Sequence, residues 1–269
     1  MRQSLRLMML GAITLAAGTV IAFVPRVAQS PDYHHFADQR MVLGIPNFLN
    51  VISNVPFLIV GIWGLVVVLG VRGANTRSFV TWGERWPYIV LCVGVALTCL
   101  GSAYYHLVPN NARLVWDRLP MTLGFMSLLC AMLMERVNPR IGLLALVPLV
   151  LLGVTSVVYW YLTELRGAGD LRPYIVVQFY TLALILLMLW LFPARYTRGP
   201  DLLVALGFYV LAKIFESLDR PIYNLGHIIS GHTLKHIAAA VGIYWIFRML
   251  ALRNVIPARP CRRSETTRT

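Results

Sequence analysis

An all-α, polytopic transmembrane helix bundle is the fold that this sequence predicts, and three observations carry the prediction. Of the 269 residues, 58% are hydrophobic and only 13% are charged, with a mean hydropathy of +0.68. A soluble chain of this length would carry about 25% charged residues. The apolar residues gather into eight stretches, each near the ~20 residues that a helix needs to cross the hydrocarbon. The joining segments are short and polar, so neighbours in sequence are expected to be antiparallel neighbours in space. A helix satisfies its own backbone in lipid, which makes a helical bundle the natural form.

The elements follow in order. Residues 1–30 hold the first stretch, 7–24 (LMMLGAITLAAGTVIAFV), after a basic start at Arg2 and Arg6. Val27-Ala28-Gln29 loosely resembles a signal cleavage site, but the apolar run is long for a signal peptide. An uncleaved membrane helix, a candidate signal anchor, is the reading adopted. The remaining spans are 48–71, 87–107, 115–134, 141–161, 173–192, 201–219 and 227–250, within one membrane domain over 31–250. Glycines and small residues inside the spans suit close helix packing. Residues 251–269 form a basic tail, PARPCRRSETTRT at its end, expected to be disordered.

The net charge is +13, from 22 arginines and 2 lysines against 11 acids. These arginines are scattered among short loops with no basic module to use them, which argues against nucleic acid as a partner and for the bilayer. With the N-terminus inside, the inner segments hold fourteen arginines and the outer ones seven. That bias places both termini in the cytoplasm. Cys92, Cys99, Cys130 and Cys261 show no metal-binding spacing and read as core thiols or tail.

Polar residues inside the spans are costly and mark function. His106 ends the third span in GSAYYH, with Ser102 one turn deeper on the same face. Asp117 opens the fourth span in WDRLPM, and His232 and His236 open the last in GHTLKH. All five fall at the outer end on this topology. His232 and His236, at i and i+4, share one helix face and could chelate one metal ion. A third histidine would leave the fourth tetrahedral position open, as catalytic zinc sites do. Such zinc lowers the pKa of a bound water to about 7. Asp117 could relay a proton and Ser102 could donate to a developing oxyanion. The residues alone leave satisfied interior histidines and a haem protein or transporter open. Haem is disfavoured because its two axial ligands come from opposite faces of the iron.

Ser102-x3-His106, then Asp117 followed by Leu119-Pro120-Met121, then His232-x3-His236, resembles the alkaline ceramidase family. Its wider superfamily includes the adiponectin and progestin membrane receptors. Asn50-x2-Ser53-Asn54 matches the family's first-helix motif, and the resemblance runs from about residue 33 to 250. It implies a seven-helix core plus one extra N-terminal helix. It implies zinc on His106, His232 and His236, with Asp117 and Ser102 catalytic. The implied reaction is hydrolysis of the amide of ceramide or a related N-acyl lipid to a fatty acid and a sphingoid base. The rival from another class is a lipid-sensing receptor with little turnover.

Several features depart from the family's pattern. Lys235 replaces an aromatic residue between the two histidines and is read as snorkelling to the outer interface. The family's calcium site would fall on Asp32, Asp38 and Asn47, with fewer acids than expected, so loop capping explains them equally well. His34 and His35 lie outside the zinc pattern, and His227 reads either as a support behind the ligands or as plain interface. Lys213 and Glu216, at i and i+3, are expected to pair on the seventh span, which also carries Asp219. Trp82, Trp86, Tyr104, Tyr105 and Trp116 read as interfacial belt residues.

Overall fold

The structure, a computed structural model, describes residues 3–70 and 78–257. It is all-α. The long helices are α1 (Gln3–Phe23), α2 (Phe48–Leu69), α3 (Trp86–Leu107), α4 (Asn111–Arg136), α5 (Pro139–Leu165), α6 (Arg172–Leu191), α7 (Asp201–Ser217) and α8 (Gly231–Leu252). Seven of them are long and apolar enough to cross a membrane. The eighth, α7, is 17 residues long, about 25 Å at 1.5 Å per residue. The expected span 201–219 therefore ends early, at Ser217, and Asp219 opens a separate short helix, Asp219–Asn224. The last helix likewise starts at Gly231, not at His227, which is exposed at a positive φ of 54°.

Helix ends follow local chemistry. Asn110 Oδ1 accepts from the Arg113 N–H at 2.9 Å and starts α4, and Asn138 does the same for α5 ahead of Pro139. Ser230 Oγ accepts from the Thr233 N–H and starts α8. Gly70, at φ 73°, closes α2 in the left-handed conformation.

Small residues set the helix spacing. A Cβ on Gly61 would meet Ala96 at 2.8–2.9 Å, so α2 lies hard against α3. Gly101 does the same for α3 and α4, where a Cβ would stand 2.0 Å from the Trp116 carbonyl oxygen. Pro120, inside α4, has no N–H to offer that carbonyl. The third and fourth helices thus meet backbone to backbone at the level of Asp117.

The helix α1 buries none of its residues and touches the bundle through α6. Tyr180 donates to Thr14 at 2.9 Å, and Arg172 Nη1 donates to the Val24 carbonyl at 2.6 Å. A π-helical turn, Val176–Tyr180, interrupts α6. Such turns inside regular helices are frequent at functional sites.

At the end of the bundle away from the histidines, Glu84 pairs with Arg195 at 3.0 Å and accepts from Tyr196. Arg253, counted with the tail in the sequence, is instead 1% exposed, paired with Glu135 and stacked 4.0 Å from the Tyr196 ring. A buried guanidinium needs such partners. The rest of the expected disordered tail, 258–269 with Cys261, lies outside the described residues, as do Arg2, Arg72 and Arg77.

Candidate metal centre

The three histidines converge. His106 on α3 and His232 and His236 on α8 are 1–4% exposed. Their ring centroids stand 4.8, 5.0 and 4.9 Å apart, and one nitrogen from each lies within 4.8 Å of the others. This cluster could hold a metal ion, and it is the one group of three metal-ligating side chains among the described residues. His106 Nε2 and His232 Nε2 are 3.3 Å apart, while His106 Nδ1 is buried with no hydrogen-bond partner.

Each histidine is held from outside the cluster. Ser53 Oγ donates to the Asn50 carbonyl and lies 2.8 Å from His236 Nδ1. With its own proton committed, Oγ accepts from Nδ1–H, which leaves the Nε2 lone pair for the cluster. Asn50 ties α2 to the start of α8 by accepting from Thr233 Oγ1 at 2.9 Å, and it donates to the Asp38 carbonyl. Asp219 Oδ1 accepts from the His232 N–H at 2.7 Å, and its other oxygen accepts from the Ala37 N–H. Gly231 makes this approach available, since a Cβ there would stand 2.2 Å from the Phe215 carbonyl.

The loop before α2 closes the centre. Phe36, 3% exposed, lays its ring 4.6 Å from His106 and 4.4 Å from His232. His34 bonds Tyr105 and Asn111, each at 2.9 Å, and takes no part in the cluster. Tyr105 is 1% exposed, so it belongs to this interior and not to the interfacial belt; Trp82, Trp86, Tyr104 and Trp116 do face outward.

The three calcium candidates have separate partners. Asp32 is exposed and faces His35. Both oxygens of Asp38 are taken by the Arg40 guanidinium, at 2.9 and 2.8 Å. Burial alone would raise the Asp38 carboxyl, but the Arg40 hydrogen bonds and charge outweigh it and hold it below the usual carboxylate range. Asn47, at φ 48°, donates to the His106 carbonyl at 2.8 Å.

Asp117 and Ser102 line a cavity of about 310 Å³ beside His236. From this polar end the cavity runs between α3, α4, α6, α7 and α8, walled deeper down by Leu91, Leu128, Leu189, Leu202 and Ile246. Lys235 does not snorkel to the surface. It turns into this cavity and pairs with Glu216 at 2.8 Å, and Glu216 also pairs with Lys213 as its spacing predicts. Carboxylate neutralisation wins over snorkelling because α7 brings an acid to the same depth.

Sequence reasoning gave no role to Phe36, Asp219 or Arg118. Phe36 carries no sequence signal. Asp219 was grouped with the polar residues of the seventh span, whereas it leaves that helix to hold the next. Arg118, one of the seven outer arginines, is 5% exposed and lines the cavity. Its place directly after Asp117 inside an apolar span was the available signal. The sequence matches no protein-family model and no curated protein. What stands is a polytopic membrane bundle with a buried three-histidine centre beside an apolar cavity.

Proposed function

We propose that this chain is an integral-membrane, zinc-dependent amidohydrolase. It cleaves the amide of ceramide or a related N-acyl lipid to a fatty acid and a sphingoid base. The observation that carries this reading is a cluster of three buried imidazoles, one of which, His236, lines the same largely apolar cavity as Asp117 and Ser102. A metal centre meant only to hold the fold would be closed, and would favour thiolates.

His106 and His232 stand at the spacing that zinc takes. Two zinc–nitrogen bonds of 2.0–2.1 Å at a tetrahedral angle place their nitrogens about 3.3–3.4 Å apart. The His106 and His232 Nε2 atoms are 3.3 Å apart. Bound there by His106, His232 and His236, zinc supplies Lewis acidity toward a water and a carbonyl oxygen.

The remaining chemistry falls to the chain. Asp117 takes the proton of the attacking water and returns it to the departing amine nitrogen. Ser102 donates a hydrogen bond to the carbonyl oxygen as charge develops on it. Ser53 keeps the His236 ring turned to its ligand face. The apolar wall takes the acyl chain, which aligns the amide with the polar end. Lipid has a path between α6 and α7, where Phe179 both lines the cavity and is 44% exposed. There the two helices are bridged by Gln178 donating to Tyr209 at 2.9 Å and by Lys213 over the Phe179 ring. The arginine bias puts the histidine end at the outer face, with both termini cytoplasmic.

The deciding experiment compares wild type with His232→Ala after purification in detergent. Zinc is measured by elemental analysis and fatty-acid release is measured from a short-chain ceramide. One zinc per chain and turnover, both lost in the variant, is the expected result. Zinc without turnover on any N-acyl lipid would move the assignment to a lipid-sensing receptor. No zinc would refute the centre. Adding a calcium chelator to the same assay tests Asp32, Asp38 and Asn47. Because Arg40 already neutralises Asp38, turnover is expected to persist.

A further inference from the structure

Arg118 is a buried cation without an acidic partner. The other deeply buried arginine among the described residues, Arg253, has a carboxylate, Glu135. Arg118 has none within ion-pair distance among the described residues. Its guanidinium offers five N–H donors. One is used, from Nη2 to the neutral Gln29 amide oxygen at 2.6 Å, and Nη1 is buried with no hydrogen-bond partner. Around it stand the Trp160 ring at 4.2 Å and the Tyr174 ring at 4.7 Å, and the neighbouring Glu164 carboxylate accepts from the Gln29 N–H and the Trp160 indole N–H and not from the guanidinium. Aromatic faces attract the charge but give the N–H groups no acceptor.

The surrounding charge is unbalanced in the same direction. The cavity wall carries three cations, Arg118, Lys213 and Lys235, against two acids, Asp117 and Glu216. Glu216 is shared by both lysines. A buried guanidinium with unused N–H donors is costly unless a ligand brings acceptors and counter-charge. Arg118 lies on the outer, loop-facing side of the polar end, among Tyr33 and Gln29 of the loop and Trp160 near the end of α5. The acyl slot runs the opposite way, toward Leu128 and Leu202. A lipid whose amide sits between Ser102, Asp117 and His236 therefore turns its amine half toward Arg118.

We propose that the preferred substrate is an N-acyl lipid whose amine half carries an anionic group, a carboxylate or a phosphate, and that Arg118 is the residue that recognises it. This rests on the amidohydrolase reading above and narrows its substrate class. Guanidinium forks suit both anions, which they bind bidentately. Arg118 is a specificity residue here, with no part in bond breaking.

The test uses full-length protein in neutral detergent and three probes: N-dodecanoyl glycine, its uncharged methyl ester, and dodecanoate. Binding is read by equilibrium dialysis, and amide cleavage by release of free glycine or its methyl ester from the same samples. Wild type should favour the acid over the ester by about tenfold or more, the scale of a charge-assisted bidentate contact. In Arg118→Gln that ratio should fall toward one, while Arg118→Lys, which keeps the charge, should retain part of it. A ratio is read within each protein, so partial loss of folding does not mimic the effect. A wild-type ratio near one, or one unchanged in Arg118→Gln, overturns the proposal. So does dodecanoate binding as tightly as the acyl glycine with the same dependence on Arg118, which would assign the arginine to the released fatty acid. Preferential, Arg118-dependent binding without cleavage would leave the recognition of the anion by Arg118 standing, make the lipid a ligand and not a substrate, and remove the hydrolase reading. Cleavage of acid and ester alike would do the reverse. The same comparison between N-dodecanoylethanolamine and its O-phosphate tells phosphate from carboxylate as the source of the charge.

Discussion

Ser53 shows how much of the centre depends on side chains that would never touch the metal. Its hydroxyl is committed to the Asn50 carbonyl, so it accepts from His236 and fixes which nitrogen is free. Partners of this kind are typically worth roughly 10–100-fold in metal affinity. Ser53→Ala is expected to weaken zinc binding on that scale while the bundle still folds, as read by competition with a metal-indicator dye. Unchanged affinity would mean that packing alone orients His236. The part proposed for Asp117 is different, since it is no member of the histidine cluster. Asp117→Ala should retain one zinc per chain and lose turnover by about 10²–10⁴-fold, the usual weight of a general base. Zinc retained with full hydrolysis would remove Asp117 from the chemistry.

Among the elements, the α3–α4 contact is the most exposed to a small change. Gly101 stands where a Cβ would fall 2.0 Å from the Trp116 carbonyl oxygen. Backbone cannot yield as a flexible side chain can, so Gly101→Ala must push the two helices apart. Overpacking of this kind costs about 1–3 kcal/mol. The functional cost should be larger, because α3 carries Ser102 and His106 and α4 carries Asp117. We expect turnover to fall at least tenfold, with His106 drawn off the cluster and zinc affinity reduced, by the assays above. An alanine variant with wild-type turnover would show that the two helices can slide without disturbing the site. The resemblance in the Ser102–His106 and Asp117 segments pointed to these helices as partners, but it said nothing of how closely they approach. That distance depends on a glycine in one helix meeting a carbonyl freed by a proline in the other.

At the scale of the whole molecule, α1 is peripheral. It buries no residue and meets the bundle at Thr14 and at its last carbonyls, through Tyr180 and Arg172. A chain lacking residues 1–24 keeps Gln29, the partner of Arg118, and every residue of the centre. Zinc content and turnover should be unchanged in that truncation, with any loss confined to membrane insertion yield. A folded truncation without zinc would make α1 part of the site. This separates the bundle into a core that carries the histidine cluster and a peripheral helix that meets it along one side.

The sequence by itself determined that the chain is a helical membrane bundle, because apolar length and scarce charge leave lipid-crossing helices as the available form. It also picked out the three histidines that the fold brings together, since an i,i+4 histidine pair can face one point and the resemblance implied the third member. What only the tertiary structure decided is how the other polar residues divide their partners. Lys235 pairs with Glu216 across α7 and α8, Asp38 closes on Arg40, Asp219 leaves its helix to hold His232, and Arg118 is left facing the cavity without an acid. Periodicity reports which residues share a face of one helix. Which charges meet depends on the depth and rotation of separate helices, and that is fixed by packing across the bundle.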